Sequence, residues 1–239
     1  MGNRFQLKPG PIALVGSGEY LPVMAEIEAK LIAGRPSNYI QIPTAAAPEG
    51  ESTLNYWQQL GIAQAHRIGV NPIPLLIRNR DDAQNPEFSE KISNAGLIYF
   101  SGGDPHYLAD TLRDTKLWNS IYAAWQNGAA LAGCSAGAMA IANHIPSIRS
   151  ISKQTTSGLG ILPNIRVLPH FDRMFAKIGA TILHYLQEPK DLTVVGIDEE
   201  TALVGGLTQW EVQGNKSVWI FKNGEKTQYF AGDKITLNN

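Results

Sequence analysis

Five consecutive residues, Gly133-Cys134-Ser135-Ala136-Gly137, follow the apolar run Ala129 to Ala132 and carry the pattern of a nucleophile elbow. Glycines on either side let a strand turn sharply into a helix, so the central side chain projects above the sheet edge. Ser135 is then a candidate nucleophile for acyl transfer, and the Ala136 amide points where an oxyanion would form. A strand-turn-helix junction that uses glycine only for packing has the same letters, so that reading stays open.

A serine nucleophile needs a base, and the chain has five histidines: His66, His106, His144, His170 and His184. His170 closes a short strand between Pro169 and Phe171, a placement suited to a fixed imidazole at a sheet rim. His106 follows a glycine turn and is placed to line the pocket. His144 is expected two turns along the elbow helix, pointing away from Ser135. His66 precedes a distant strand, and His184 sits in an amphipathic helical stretch. The turn Ser101-Gly102-Gly103-Asp104-Pro105 can expose backbone N–H groups for the oxyanion, or simply reverse the chain. Asp104, Arg149, Lys153, Arg166 and Arg173 are the charged groups that could meet substrate termini, with surface solvation the alternative for each. Arg173 is the one suited to a carboxylate, which a guanidinium grips with two bonds. No histidine pair has metal-binding spacing, so no metal is expected.

These groups need a scaffold, and the hydrophobic pattern supplies one. Short apolar runs alternate with helical stretches, which predicts βαβ units and a mostly parallel sheet. Strands are expected at Pro11 to Val15, Tyr39 to Ile42, Ile73 to Ile77, Gly96 to Phe100, Arg166 to Leu168, Thr193 to Ile197 and Ala202 to Val204. Helices are expected at Val23 to Ala33, Leu54 to Leu60 closed by Gly61, His106 to Gln126, and Met174 to Leu186. The tail alternates instead and holds an Asn223-Gly224 turn, which predicts antiparallel strands on the sheet edge. Sites on such sheets gather at the carboxyl ends of strands. The exits at Gly16-Ser17-Gly18, Gly102-Gly103 and Gly133 to Gly137 should therefore converge. The first, continuing Glu19-Tyr20-Leu21, lacks the third glycine of a dinucleotide loop and reads as a packing turn or substrate-lining loop.

Bulk composition narrows the class. The 239 residues are 44% hydrophobic and 17% charged with a net charge of −1, which suits one α/β domain, residues 1–239, with a sizeable core. Nothing advertises nucleic acid or a membrane surface as a partner, and no apolar run approaches the roughly 18 residues of a membrane helix. The single cysteine rules out an intramolecular disulfide and, with no signal-peptide pattern at the N-terminus, makes the cytoplasm the default expectation. A homodimer is open.

Taken together, Phe100 to Asp104, Gly133 to Met139, Gly158 to Pro163, Pro169-His170-Phe171 and Gly196 to Leu203 occur in the order of a known family. From about Pro11 to Val204 the chain resembles the serine peptidases that include cyanophycinase and the α-aspartyl dipeptidase. The resemblance implies the class I glutamine-amidotransferase-like, flavodoxin-like fold, a three-layer sandwich with helices on both sides of a parallel sheet. It implies Ser135 as nucleophile, His170 as base, Gly103 and Ala136 as oxyanion donors, a small aspartyl peptide as substrate, and no cofactor. It also implies a triad acid between serine and histidine, and no Asp or Glu lies between Ser135 and His170. Asp172, two residues after the histidine, matches the His-x-Glu spacing of the amidotransferases on this fold, although an aspartate there could instead cap a helix. Glu199, Glu200 and Gln154 are the alternatives. Pro105 and Leu168 stand where the cyanophycinase branch carries Gln and Asp.

Three readings follow. One is a small-peptide serine hydrolase; another is a relative without activity that binds a ligand or partner, favoured by the missing acid. The third is a different amide hydrolase or amidotransferase-like chemistry. It would use Cys134, which lies one place before the elbow's centre and is expected to face the core.

Overall fold

The computed structural model describes residues 8–146, 156–175 and 192–237. In chain order its first half runs β1 (Ile12–Val15), α1 (Pro22–Ile32), β2 (Asn38–Ile42), a 3₁₀ segment (Thr44–Glu49), α2 (Glu51–Arg67), β3 (Asn71–Pro74), α3 (Arg80–Gln84), α4 (Pro86–Glu90) and β4 (Ala95–Phe100). Next come α5 (Pro105–Leu112), α6 (Lys116–Gln126), β5 (Ala130–Cys134), α7 (Ala136–Ile141), β6 (His144–Ile145), β7 (Thr156–Ser157), β8 (Ile165–Leu168) and α8 (Phe171–Phe175). The remaining strands are β9 (Thr193–Ile197), β10 (Thr201–Gly205), β11 (Gln209–Gly214), β12 (Ser217–Lys222), β13 (Glu225–Phe230) and β14 (Lys234–Thr236).

An eight-stranded sheet has the order β14-β11-β10-β1-β5-β4-β2-β3. Its β1, β5, β4, β2 and β3 are parallel, while β10, β11 and β14 extend it antiparallel. Every residue of β1, β4 and β5 is buried, as expected of central strands covered on both faces. Alternation along them sorts the side chains into two layers. Ile12, Leu14, Ile98, Phe100 and Leu131 pack with Leu108, Leu112, Ile121, Trp125 and Met139 from α5, α6 and α7. Ala13, Val15, Leu97, Tyr99, Ala132 and Cys134 pack instead with Met24, Ile27 and Leu31 of α1. At about 1.5–3 kcal/mol per large apolar side chain removed from water, these two layers hold the sheet between its helices. The result is the three-layer α/β sandwich that the sequence implied.

Apart from shifted strand ends, such as β3 at Asn71–Pro74 where Ile73 to Ile77 was expected, the structure departs from the expected elements in four places. First, β8, β9, β12 and β13 form a separate four-stranded sheet, so the tail is divided between two sheets instead of extending one edge. Second, the long helix expected after His106 breaks at Asp114, which takes φ +59°, and Thr115 then caps α6 by accepting the Trp118 N–H at 3.2 Å. Third, Gly61 does not end α2, which runs on to Arg67; its glycine instead leaves room for the Gln41 side chain, which occupies the space a Cβ would need. Fourth, α7 stops at Ile141, so His144 belongs to β6 and not to the elbow helix. The stretch expected to be helical from Met174 to Leu186 lies outside the described residues beyond Phe175.

Candidate active site

Ser135 sits between β5 and α7 with φ +50° and ψ −108°, a backbone conformation that a non-glycine residue adopts only when its surroundings enforce it. Here the enforcement is steric. A Cβ on Gly133 would lie 2.4 Å from the Gly137 carbonyl carbon, and one on Gly137 would lie 2.3 Å from the Phe100 carbonyl oxygen. The elbow glycines therefore serve close packing and the sharp turn at once. The Ser135 N–H donates to the Val15 carbonyl at 2.9 Å, tying the elbow to β1. Ala136 opens α7, where a first-turn N–H has no acceptor within the helix.

His170 follows β8 after Pro169 and is also left-handed, with φ +49°. Its N–H donates to the Gly16 carbonyl at 3.3 Å, which brings the small sheet's exit against the exit of β1. Its Nε2 lies 3.0 Å from Ser135 Oγ, and its Nδ1 lies 2.9 Å from Glu199 Oε1. A carboxylate only accepts, so Nδ1 carries the ring proton and Nε2 is left to accept from the serine hydroxyl.

Glu199 lies just past β9, its side chain 14% exposed, with Oε2 held by Arg173 Nε at 2.8 Å. Its place follows from strand pairing. Leu168 of β8 is in register with Gly196 of parallel β9, so the residues leaving these two strands are neighbours. The loop is pinned from the other side by Gly16 N–H to Thr201 carbonyl (2.9 Å) and Glu200 N–H to Ser17 carbonyl (3.1 Å). A Cβ on Gly16 would meet the Asp198 carbonyl oxygen at 2.2 Å, so glycine is required for this approach.

Asp172 is not the partner of His170, and this corrects the sequence expectation. Its Oδ1 accepts the Glu199 N–H at 3.1 Å and its Oδ2 takes Lys216 Nζ at 2.6 Å. Asp172 follows His170 within the first turn of α8, not along an extended strand, so the alternation that would aim it back at the imidazole does not apply. Desolvation raises its pKa, but the Lys216 ammonium and the Glu199 and Arg173 amides outweigh it and hold the carboxyl below its ordinary range. The three acids at 198–200 diverge. Asp198 turns into the small sheet, accepting from Ser217 N and Trp219 Nε1, and burial raises its pKa. Glu200 turns outward to Asn215 Nδ2 at 2.9 Å.

The substrate-facing expectations are also revised. Asp104 caps α5, with Oδ1 accepting the N–H groups of His106 and Tyr107 at 2.9 and 3.1 Å. Pro105 at the first helical position fits that cap. Arg173 is 74% exposed but has its Nε on Glu199, so it grips a carboxylate of the protein itself. His106 meets Thr156 Oγ1 through Nδ1. Leu168, where the cyanophycinase branch has Asp, is buried in an apolar cluster with Phe171, Val194 and Phe221. Gln154, Arg149, Lys153 and His184 lie outside the described residues.

Gly103 has φ +137°, and a Cβ there would strike the Ala45 carbonyl oxygen at 2.3 Å. Its neighbour Gly102 lies against the elbow, since a Cβ on Gly102 would be 3.6 Å from that of Ser135. Cys134 is fully buried on the α1 side of the sheet, where burial, and then the nearby Glu19 carboxylate, push its thiol pKa well up. Among the described residues no group of three or more His, Cys, Asp or Glu could hold a metal, and no helix is long and apolar enough to cross a membrane.

Comparison with known proteins gives concordant matches. Residues 12–208 match the family model of peptidase family S51. The chain is 34% identical over 148 residues to the cyanophycinase of Synechococcus elongatus, covering 56% of this chain and 44% of that one. It is 31% identical over 159 residues to peptidase E of Nostoc sp. strain PCC 7120, covering 61% of this chain and 64% of the relative. It thus spans less than half the length of the cyanophycinase it matches. The crystal structure of a peptidase from an acI-B1 Actinobacterium superposes with a TM-score of 0.89 at 47% identity, covering 97% of this chain and 98% of that one. A structure from Listeria monocytogenes EGD-e shares the fold at 16% identity, with a TM-score of 0.60 over 94% of this chain and all of its own.

Proposed function

The chain belongs to peptidase family S51, and from that premise we propose that it is a serine peptidase acting through Ser135, His170 and Glu199 on a small peptide, with an aspartyl dipeptide the first substrate to try. The observation that carries this reading is the unbroken chain of contacts, 3.0 Å from Ser135 Oγ to His170 Nε2 and 2.9 Å from His170 Nδ1 to Glu199 Oε1. His170 takes the serine proton as Oγ attacks the scissile carbonyl. The tetrahedral oxyanion falls to the Ala136 and Gly103 amides, and the imidazolium then protonates the leaving amine. Water, activated by the same imidazole, hydrolyses the acyl-enzyme. Glu199 fixes the ring and offsets its positive charge, while Arg173 holds the second carboxylate oxygen.

The reading without activity rested on a missing acid, and Glu199 removes that support. The cysteine reading is disfavoured as well, because the Cys134 thiol is fully buried among the residues packed on α1, where burial pushes its pKa well up. The test is a panel of α- and β-aspartyl dipeptides with wild type and Ser135→Ala side by side. Turnover that falls at least about 10⁴-fold in the variant is expected. Equal turnover by both proteins would sink the serine mechanism.

A further inference from the structure

The loop Gly18-Glu19-Tyr20, which leads from β1 to α1, takes no part in the chemistry above, yet two of its side chains reach across to the Gly102-Gly103 turn. Glu19 Oε1 accepts the Gly102 N–H at 2.9 Å, and Glu19 Oε2 accepts from Cys134 Sγ at 2.8 Å. One carboxylate thus bridges the residue before the candidate oxyanion glycine and the residue before the candidate nucleophile. Tyr20 grips the next position back, its hydroxyl 2.7 Å from Ser101 Oγ. That hydroxyl also accepts from Gln41 Nε2 at 2.9 Å. Tyr20 is held with φ +65°, and Arg67 Nη1 donates to its carbonyl at 2.9 Å. Two consecutive loop residues therefore clamp two consecutive residues of the turn. A Cβ on Gly102 would lie 2.8 Å from Glu19 Oε1, so Gly102 is wedged between the Glu19 carboxylate and the elbow.

We propose that Glu19 is a positioning residue for the oxyanion donors: by accepting from Gly102 and Cys134 together it fixes the spacing between the Gly102-Gly103 turn and the Ser135 elbow. The proposal rests on the serine reading and adds to it a residue that touches neither substrate nor His170. The physical need is clear. Gly103 has no side chain to anchor it and a wide choice of backbone angles, so a donor on this turn is aimed only as well as its neighbours are held. Burial favours the neutral form of Cys134, which keeps its thiol a donor to the carboxylate. Losing one aimed oxyanion donor costs about 10²–10³ in rate in a serine protease of another fold.

The experiment measures the rate of Ser135 labelling by a fluorophosphonate, whose phosphoryl oxygen enters the oxyanion site, across pH for wild type and three Glu19 variants. Glu19→Ala is expected to label about 100-fold more slowly with the midpoint of its pH profile unmoved, because that midpoint reports the His170 half of the site. Glu19→Gln keeps an acceptor for the Gly102 N–H and is expected within about fivefold of wild type. Glu19→Asp is one methylene short of spanning both donors. It is expected about tenfold slow, and it carries the test should Glu19→Ala not fold. Labelling of Glu19→Ala or Glu19→Asp at the wild-type rate would overturn the proposal. So would a midpoint that moves with the rate, or Glu19→Gln as slow as Glu19→Ala. Failure of wild type to label at Ser135 would overturn the serine reading and this inference with it, an outcome distinct from all the others.

Discussion

The two sheets bring different kinds of part to the site and hold them by different means. The eight-stranded sheet supplies the Gly102-Gly103 turn, which Glu19 holds, and Ser135, fixed largely by close backbone contact: the Gly133 and Gly137 positions have no room for a Cβ. The four-stranded sheet leads into His170 and Glu199, fixed by charge and hydrogen bonding through Arg173, Asp172 and Lys216. Steric fixing tolerates changes of pH and salt but no added methyl group. Electrostatic fixing tolerates modest changes of shape but responds to protonation and screening. A nucleophile needs one strained geometry. A base must change charge during turnover, and a hydrogen-bonded setting suits that.

The largest effect that would sharpen this contrast is expected at Glu199. Glu199→Gln keeps the shape and removes the charge, and turnover should fall by up to about 10⁴-fold, the cost of the corresponding change in the reference serine protease. The melting temperature should change little; steady-state kinetics beside thermal unfolding check both. Near-normal turnover would show that His170 takes its orientation elsewhere. Gly137→Ala is the steric counterpart. Its new Cβ meets the Phe100 carbonyl oxygen at 2.3 Å, a backbone atom that cannot swing away, and a stability loss of about 3 kcal/mol is expected. Denaturant unfolding measures it, and an unchanged midpoint would mean that the elbow is looser than its contacts imply.

The smallest effect is expected at Asp172→Asn, which keeps an acceptor for the Glu199 N–H and loses the charge facing Lys216. The folded-state pKa of Asp172 is depressed, so its contribution to stability is present above the ordinary carboxylate range and is lost as pH falls through the folded value. Wild type should therefore exceed the variant by about 0.5 kcal/mol at pH 7, and the two should converge in acid, below the folded-state pKa of Asp172. Parallel unfolding curves under the two conditions decide this, and a gap that persists in acid would remove the electrostatic account.

The same contrast explains what could be read in the sequence. Steric demands leave glycines behind, and glycines at strand exits are visible, so Ser135, the Gly102-Gly103 turn and the three-layer fold were within reach. His170 was singled out because it lies just past a strand end, and the structure puts its Nε2 3.0 Å from Ser135 Oγ. Its carboxylate partner was assigned by proximity along the chain, which favoured Asp172 over Glu199. The true neighbourhood depends on β8 and β9 lying side by side and parallel, a pairing that no local pattern encodes. The same limit hid the second sheet, because alternation marks a strand without naming its partner. Asp104 was misread for a simpler reason. An aspartate before proline at a helix start is a cap, and the cap signal should have outweighed nearness to the site.

Strand β1 has a consequence for the order in which the molecule can be assembled. It lies near the start of the described chain, yet its carboxyl end binds Thr201, Glu200 and His170 through Gly16 and Ser17. Contacts spanning that much chain form late, since the entropy of closing the loop must be met before they return anything. A chain emerging from the ribosome displays Ser135 before His170 and Glu199 have been made. On the proposed serine mechanism, the base reaches Ser135 only once His170 has closed onto Gly16 at the end of β1, so nucleophilic power arrives late in folding.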